Sequence, residues 1–324
     1  MRDTSRLTVS AGLGLRTAAL ALVALTAFGC AAFSKTPLQR AQDREFDKIL
    51  ASKGLDTSEA RRTPRNAEER VAEGDRLLKK GDAQRAVVAY FKAMDMDPEA
   101  LDPRERIGFM QLANDLERSE AIFVGVIEED PNRASAWRGL GFARLAMGEL
   151  DDASDALRRA VELDPDSAGA QYGLASVMGL LGETESAVRH ARLAQTLRPH
   201  DPAVANVLGV SLMLAGDLPA AEKALADAVR LAPEMYAYHN NLGLVLGKQE
   251  RYREALLAFR RGGEDEQAAL NNLGYCYFLN GRYDDAIAHY ENALSEPGDR
   301  KIEVLRNINE ALDARDRSLA SPSP

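Results

Sequence analysis

From Ala67 onward, apolar and polar positions follow a helical period, and the pattern itself returns at fixed intervals. In SAWRGLGFARLAMGELDDASDALRRAVELDP, which starts at Ser135, the residues Trp137, Leu140, Gly141, Gly148, Ala153, Leu157, Ala160 and Pro165 recur down the chain. A small residue after the first Leu stands at Gly141, Ala175, Gly209 and Gly243, each 34 residues from the last. Gly74 belongs to an earlier copy, and Gly274 follows after a 31-residue step. A second small position holds Ala86, Ser119, Ala153, Ala187, Ala221, Ala255 and Ala286, and a closing Pro holds Pro98, Pro131, Pro165, Pro199 and Pro233. Each period predicts two antiparallel helices, so residues 67–298 predict seven hairpins.

The recurring residues have physical reasons. Small residues on both helices let the backbones approach to about 8–10 Å. The large residue four places after the second small one (Tyr90, Phe123, Leu157, Phe259, Tyr290) is predicted to fill the space beside that crossing. Gly81, Gly148, Gly182, Gly216 and Gly281 fall where the first helix reverses, a place for left-handed backbone. The Asp-Pro pairs at 97, 130 and 164 end second helices, since Pro disfavours helical geometry in the residue before it. Two copies depart from the pattern. The second has Ile107 at the expected first-helix Gly, and the sixth stops early at Gly262-Gly263 without its Pro, predicting a bend or hinge before the seventh. Ile302, Leu305, Ile308 and Leu312 predict the buried stripe of a capping helix near 300–318, within a terminal segment 299–324.

Spacing and residue set together resemble the tetratricopeptide repeat over about 67–298. The resemblance implies an all-α helical solenoid whose first helices line a concave wall that binds protein segments. Asn206, Asn240 and Asn271 share one first-helix position, with Arg138 and Tyr172 at that position in the third and fourth repeats. Asn241 and Asn272 stand one residue on, and Val210, Met213, Leu214, Leu244, Tyr275 and Phe278 lie a turn or so further along. A row of amides offers donors and acceptors to an extended peptide backbone, and the apolar residues then accept its side chains. The same amides are equally suited to bonding within or between helices. A basic cluster for an acidic chain terminus is missing from repeats three to five.

The N-terminal region is different material. Residues 1–29 carry Arg2, Arg6 and Arg16 ahead of an uncharged run from Thr17 to Phe33, the layout of a secretory signal. Ala27-Phe28-Gly29-Cys30 resembles a bacterial lipobox, although Ala27 and Phe28 replace the usual Leu and small residue. That resemblance implies lipidation of Cys30. Ala31 and Ala32, with no Asp after the Cys, imply outer-membrane placement; an inner-membrane anchor is the alternative. Residues 30–66 form an expected tether, with eight Lys/Arg against five acids in 31–66.

Composition removes other function classes. The 324-residue chain is 45% hydrophobic and carries a formal charge of −9, opposite to the basic footprint of a nucleic-acid binder. His190, His200, His239 and His289 are scattered without metal-ligand spacing, and Cys276 sits in an apolar stretch that predicts a packed side chain. Gly139-Leu140-Gly141 falls inside a helix rather than after a strand. No cofactor, metal or small-molecule substrate is expected, and no enzyme. The repeats of O-GlcNAc transferases precede a catalytic domain, whereas about 26 residues follow the last repeat here. The layout is similar to the TadD-type lipoproteins of tight-adherence pilus systems and, more distantly, to pilotin lipoproteins. This implies a scaffold that assists pilus or secretion assembly through a protein partner held in the groove. A general envelope scaffold for cell division or peptidoglycan synthesis, and an inner-membrane adaptor, are the alternatives.

Overall fold

The computed structural model describes residues 66–263 and 265–320; the signal, Cys30 and the tether up to residue 65 lie outside them. Two compact units divide the chain, 1–165 and 166–324. In the first, α1 (Ala67–Lys79) pairs with α2 (Ala83–Met96), α3 (Leu101–Gln111) with α4 (Leu116–Glu129), and α5 (Ala134–Met147) with α6 (Leu150–Leu163). In the second, the pairs are α7 (Ala168–Leu181) with α8 (Thr184–Leu197), α9 (Pro202–Leu214) with α10 (Leu218–Leu231), α11 (Tyr236–Lys248) with α12 (Tyr252–Arg261), and α13 (Glu266–Leu279) with α14 (Tyr283–Ser295). A final helix, α15 (Lys301–Ala320), packs on α14. All secondary structure among the described residues is helical.

The hairpins close where a first-helix glycine leaves room for a large second-helix side chain. A Cβ on Gly141 would stand 2.5 Å from Leu157 Cγ, one on Gly209 2.5 Å from Leu225 Cγ, and one on Gly274 2.6 Å from Tyr290 Cδ1. Tyr90, Phe123, Leu157, Leu225, Phe259 and Tyr290 are fully buried as a result. In the second repeat the structure corrects the expectation centred on Ile107. Gly108 takes the crossing, since a Cβ there would meet Phe123 at 2.9 Å, and Ser119 Oγ donates to the Gly108 carbonyl at 2.8 Å. The step from Gly108 to Ser119 is 11 residues where the corresponding steps are 12, which hid the register.

Turns follow a common scheme. Gly81, Gly148, Gly182, Gly216 and Gly281 all have φ between 72° and 85°. In the sixth repeat this place belongs to Glu250, with φ 62°. The loop between hairpins is tied by a side chain six residues past the closing proline. Trp137 Nε1 donates to the Pro131 carbonyl at 2.9 Å, Arg104 to that of Pro98 at 2.6 Å, and His239 Nε2 to that of Pro233 at 2.9 Å.

The sixth hairpin is the shortest, because α12 has ten residues where the other second helices have 13 or 14. Its junction with the seventh is bridged by a two-bond Arg260–Glu266 ion pair and by stacked rings. Tyr252 lies on Tyr277 at 3.8 Å, Tyr277 on His289 at 4.9 Å, and the Arg282 guanidinium covers both tyrosines at 5.4 and 5.0 Å. The buried face of α15 also differs from expectation. Val304 and Ala311 are buried and Ile308 is half-buried, whereas Ile302 and Leu305 are 78% and 50% exposed.

Two outcomes follow from this packing. Glu250→Gly removes a left-handed side chain and is expected to stabilise the fold by about 1 kcal/mol in urea unfolding. His289 Nδ1 is buried with no hydrogen-bonding partner, and burial lowers the imidazole pKa below its ordinary 6.5. The unfolded chain therefore takes up this proton first, so His289's contribution is intact above pH 6.5 and is lost as pH falls through the lowered folded value. Thermal melts of His289→Gln should show a flatter dependence on pH below 6.5 than the parent chain; equal slopes would contradict the assignment.

Candidate functional site: the first-helix face of the second unit

In the second unit, consecutive first helices α7, α9, α11 and α13 touch one another, so their repeat positions form rows. The row of amides is drawn inward. Asn206 is 0% exposed and its Oδ1 accepts from Asn241 Nδ2 at 2.8 Å, joining α9 to α11. Asn271 is 3% exposed and accepts from Asn307 Nδ2 at 2.8 Å, joining α13 to α15. One amide bridge is thus used at two places, between α9 and α11 and between α13 and α15. Its physical basis is that a polar group between helices, shielded from water, is costly unless a neighbour bonds it. Tyr172 is buried too, and its carbonyl accepts from Ser176 Oγ at 3.0 Å. Tyr172, Asn206 and Asn271 therefore lie between helices and not on an open wall, which corrects the expected row.

The remaining expected residues are partly open. Asn240, Asn241 and Asn272 are half-buried, and Asn240 Oδ1 lies against the backbone at Gly262. Tyr275 and Phe278 are half-buried and near-parallel, with ring centroids 6.3 Å apart. Arg138 belongs to the first unit, where its guanidinium covers the Phe109 ring at 5.1 Å.

Two neighbouring rows are open along their whole length. The first holds Ser176, Val210, Leu244 and Tyr275, all half-exposed. The second, four residues further along each helix, holds Leu180, Leu214, Lys248 and Leu279, with Leu214 and Leu279 exposed. Together they form a mainly apolar ladder down one side of the unit. Sequence reasoning missed Ser176, Leu180, Lys248 and Leu279. The signal was present, since each stands at the same 34- or 31-residue step as the glycines, beside a more conspicuous row of asparagines.

Cys276 is fully buried against Gly247, and burial pushes its thiol up to about 12. Burial likewise raises the Tyr275 phenol, so both stay neutral at physiological pH. Among the described residues, no three His, Cys, Asp or Glu side chains come together as a metal site would require, and no helix is long and apolar enough to cross a membrane. What the arrangement can do is receive apolar side chains of another polypeptide.

The chain matches the profile of the family described as Cilia and flagella-associated protein 70 C-terminal domain over residues 32–269. A tetratricopeptide-repeat profile matches residues 268–296. No curated protein matches the sequence. Among solved structures, the Cut9–Hcn1 hetero-tetramer of APC/C is similar at 20% identity and a TM-score of 0.57, with coverage of 76% of this chain and 54% of that one. The chain thus spans about half the length of that relative. A structure of Pseudomonas aeruginosa pilF is similar at 19% identity and a TM-score of 0.51, covering 67% of this chain and 98% of that one. A tetratricopeptide-repeat protein of Parabacteroides merdae has 11% identity and a TM-score of 0.51, covering 76% and 98%. These likenesses establish the repeat fold. With a profile match over well more than half its residues, the chain belongs to the tetratricopeptide-repeat family named for the Cilia and flagella-associated protein 70 C-terminal domain.

Proposed function

We propose that this protein is a lipid-anchored repeat scaffold, facing the periplasm from the outer membrane, that assists assembly of a pilus or secretion machine by holding a segment of one component. The observation that carries the reading is the ladder of Val210, Leu214, Leu244, Tyr275 and Leu279 along the first helices of the second unit. An extended or helical segment laid along it would place successive apolar side chains on successive repeats. Burial of each would contribute roughly 1.5–3 kcal/mol before the cost of ordering the segment. The uncharged run from Thr17 to Phe33, with Gly29-Cys30 within it, supports the anchor. Acyl chains buried at about 0.8 kcal/mol per CH₂ hold a protein at a bilayer stably once there are two of them.

The two halves of the reading have separate tests. Metabolic labelling with palmitate is expected to mark the full chain and to fail on Cys30→Ala; label that survives the substitution removes the anchor. For the face, a photo-crosslinker placed at Val210 is expected to capture one envelope component in cells. Leu214→Glu with Leu279→Glu should lower that yield at least tenfold at an unchanged melting temperature, because both side chains are exposed. Undiminished crosslinking in the double variant would remove the ladder as the binding surface. Asn271→Ala should behave differently, lowering stability by about 1–2 kcal/mol by leaving Asn307 Nδ2 without its acceptor.

A further inference from the structure

The last helix stands where the first helix of an eighth hairpin would. Its Asn307 donates to Asn271 as Asn241 donates to Asn206, which fixes the register of α15 against the repeats. In that register Ile308 takes the place of Leu273, Leu312 that of Tyr277, and Asn309 that of Gly274. The face on which each earlier first helix receives its own second helix is therefore open on α15. Ile302, Leu305 and Leu319 are exposed there, and Leu312 is half-exposed. Asn309 also changes what can cover this face. Gly274 admits the Tyr290 ring against its backbone, and a side chain at the equivalent position denies that close approach.

The charges beside the open face identify an occupant. Arg306 and Asp313 are exposed, and among the described residues neither side chain has an ion-pair or hydrogen-bond partner. They stand seven residues apart, as do Leu305 and Leu312, so the dipeptides Leu305-Arg306 and Leu312-Asp313 occupy the same strip of helix. A copy of α15 turned antiparallel sets Leu305 of one chain on Leu312 of the other, and Arg306 on Asp313, each contact made twice by symmetry. Asn309 then meets its own counterpart at the twofold axis, where two amides can exchange hydrogen bonds. A parallel arrangement would instead oppose Arg306 to Arg306 and Asp313 to Asp313. We propose that α15 is a homodimerisation helix, and that a second copy of this chain covers its open face in antiparallel orientation. A 20-residue helix is about 30 Å long and offers one narrow face, so the interface belongs to the small, concentration-dependent class.

Charge exchange gives the test. Sedimentation of the full chain in detergent is expected to show a monomer–dimer equilibrium. Arg306→Asp places acid against acid and Asp313→Arg places base against base, so each alone should weaken the dimer at least tenfold. The double exchange should return the dissociation constant to within about threefold of the parent. Circular dichroism checks that the variants keep parental helicity, which is expected because both positions are solvent-exposed. A chain that stays monomeric over the whole concentration range overturns the proposal. So does association indifferent to both single exchanges, which would place the contact elsewhere on the molecule, and so does a double variant no better than the singles.

Discussion

Six of the seven hairpins depend on one close contact, the approach of a large second-helix side chain to a first-helix backbone that carries no Cβ; in the fourth, Ala175 and Ala191 stand at the two positions. Where Gly108, Gly141, Gly209, Gly243 or Gly274 stands, a ring or branched side chain occupies the space a Cβ would need. The second-helix residue is then buried completely, which is worth about 1.5–3 kcal/mol for a side chain of that size. The same contact fixes how far the two helices overlap, and so which first-helix residues face outward. Repeat stability and the position of the open face are consequences of one steric fact.

Between first helices, stacking one hairpin on the next uses different chemistry in the two units. In the first, Arg106 pairs with Asp75 at 2.9 Å, and Arg133 bonds the almost fully buried Glu105 at 3.0 Å while Ser135 Oγ donates to its other oxygen at 2.6 Å. A buried carboxylate is tolerated only when its lone pairs are met in this way. In the second, the Asn206–Asn241 and Asn271–Asn307 bridges do the corresponding work without charge. An amide bridge avoids the desolvation of a full charge, leaving the neighbouring rows of α7, α9, α11 and α13 free to be apolar.

The repeat number, the crossing glycines and the left-handed turns were legible in the sequence because each rests on a residue type with a single conformational use. Register was harder where that link was broken. The second repeat has one residue fewer between its glycine and Ser119, making Ile107 look like the crossing residue instead of Gly108. On α15, the stripe through Ile302, Leu305, Ile308 and Leu312 has sound helical spacing, yet the buried side centres on Val304 and Ala311. Periodicity finds an apolar stripe; it does not say which of two stripes meets the preceding hairpin. The asparagines posed a similar ambiguity, because an amide suits a peptide backbone and a neighbouring amide equally well. Only the position of the next helix decides between them.

The short sixth hairpin shows why the open face survives an irregular repeat. The step from Leu244 to Tyr275 is 31 residues where its predecessors are 34. The shortening falls in α12 and the junction after it, while α11 keeps 13 residues and α13 keeps 14. Because no residue is lost from a first helix, Leu244 and Tyr275 hold the same place relative to Gly243 and Gly274, and the row continues across the defect. The burden moves to the second-helix side, where the closing proline is missing. There the Arg260–Glu266 pair ties the end of α12 to the start of α13, while the Tyr252–Tyr277–His289 stack under Arg282 joins the two hairpins at their opposite, turn end. The ladder remains a continuous surface because the irregularity falls where no ladder residue stands.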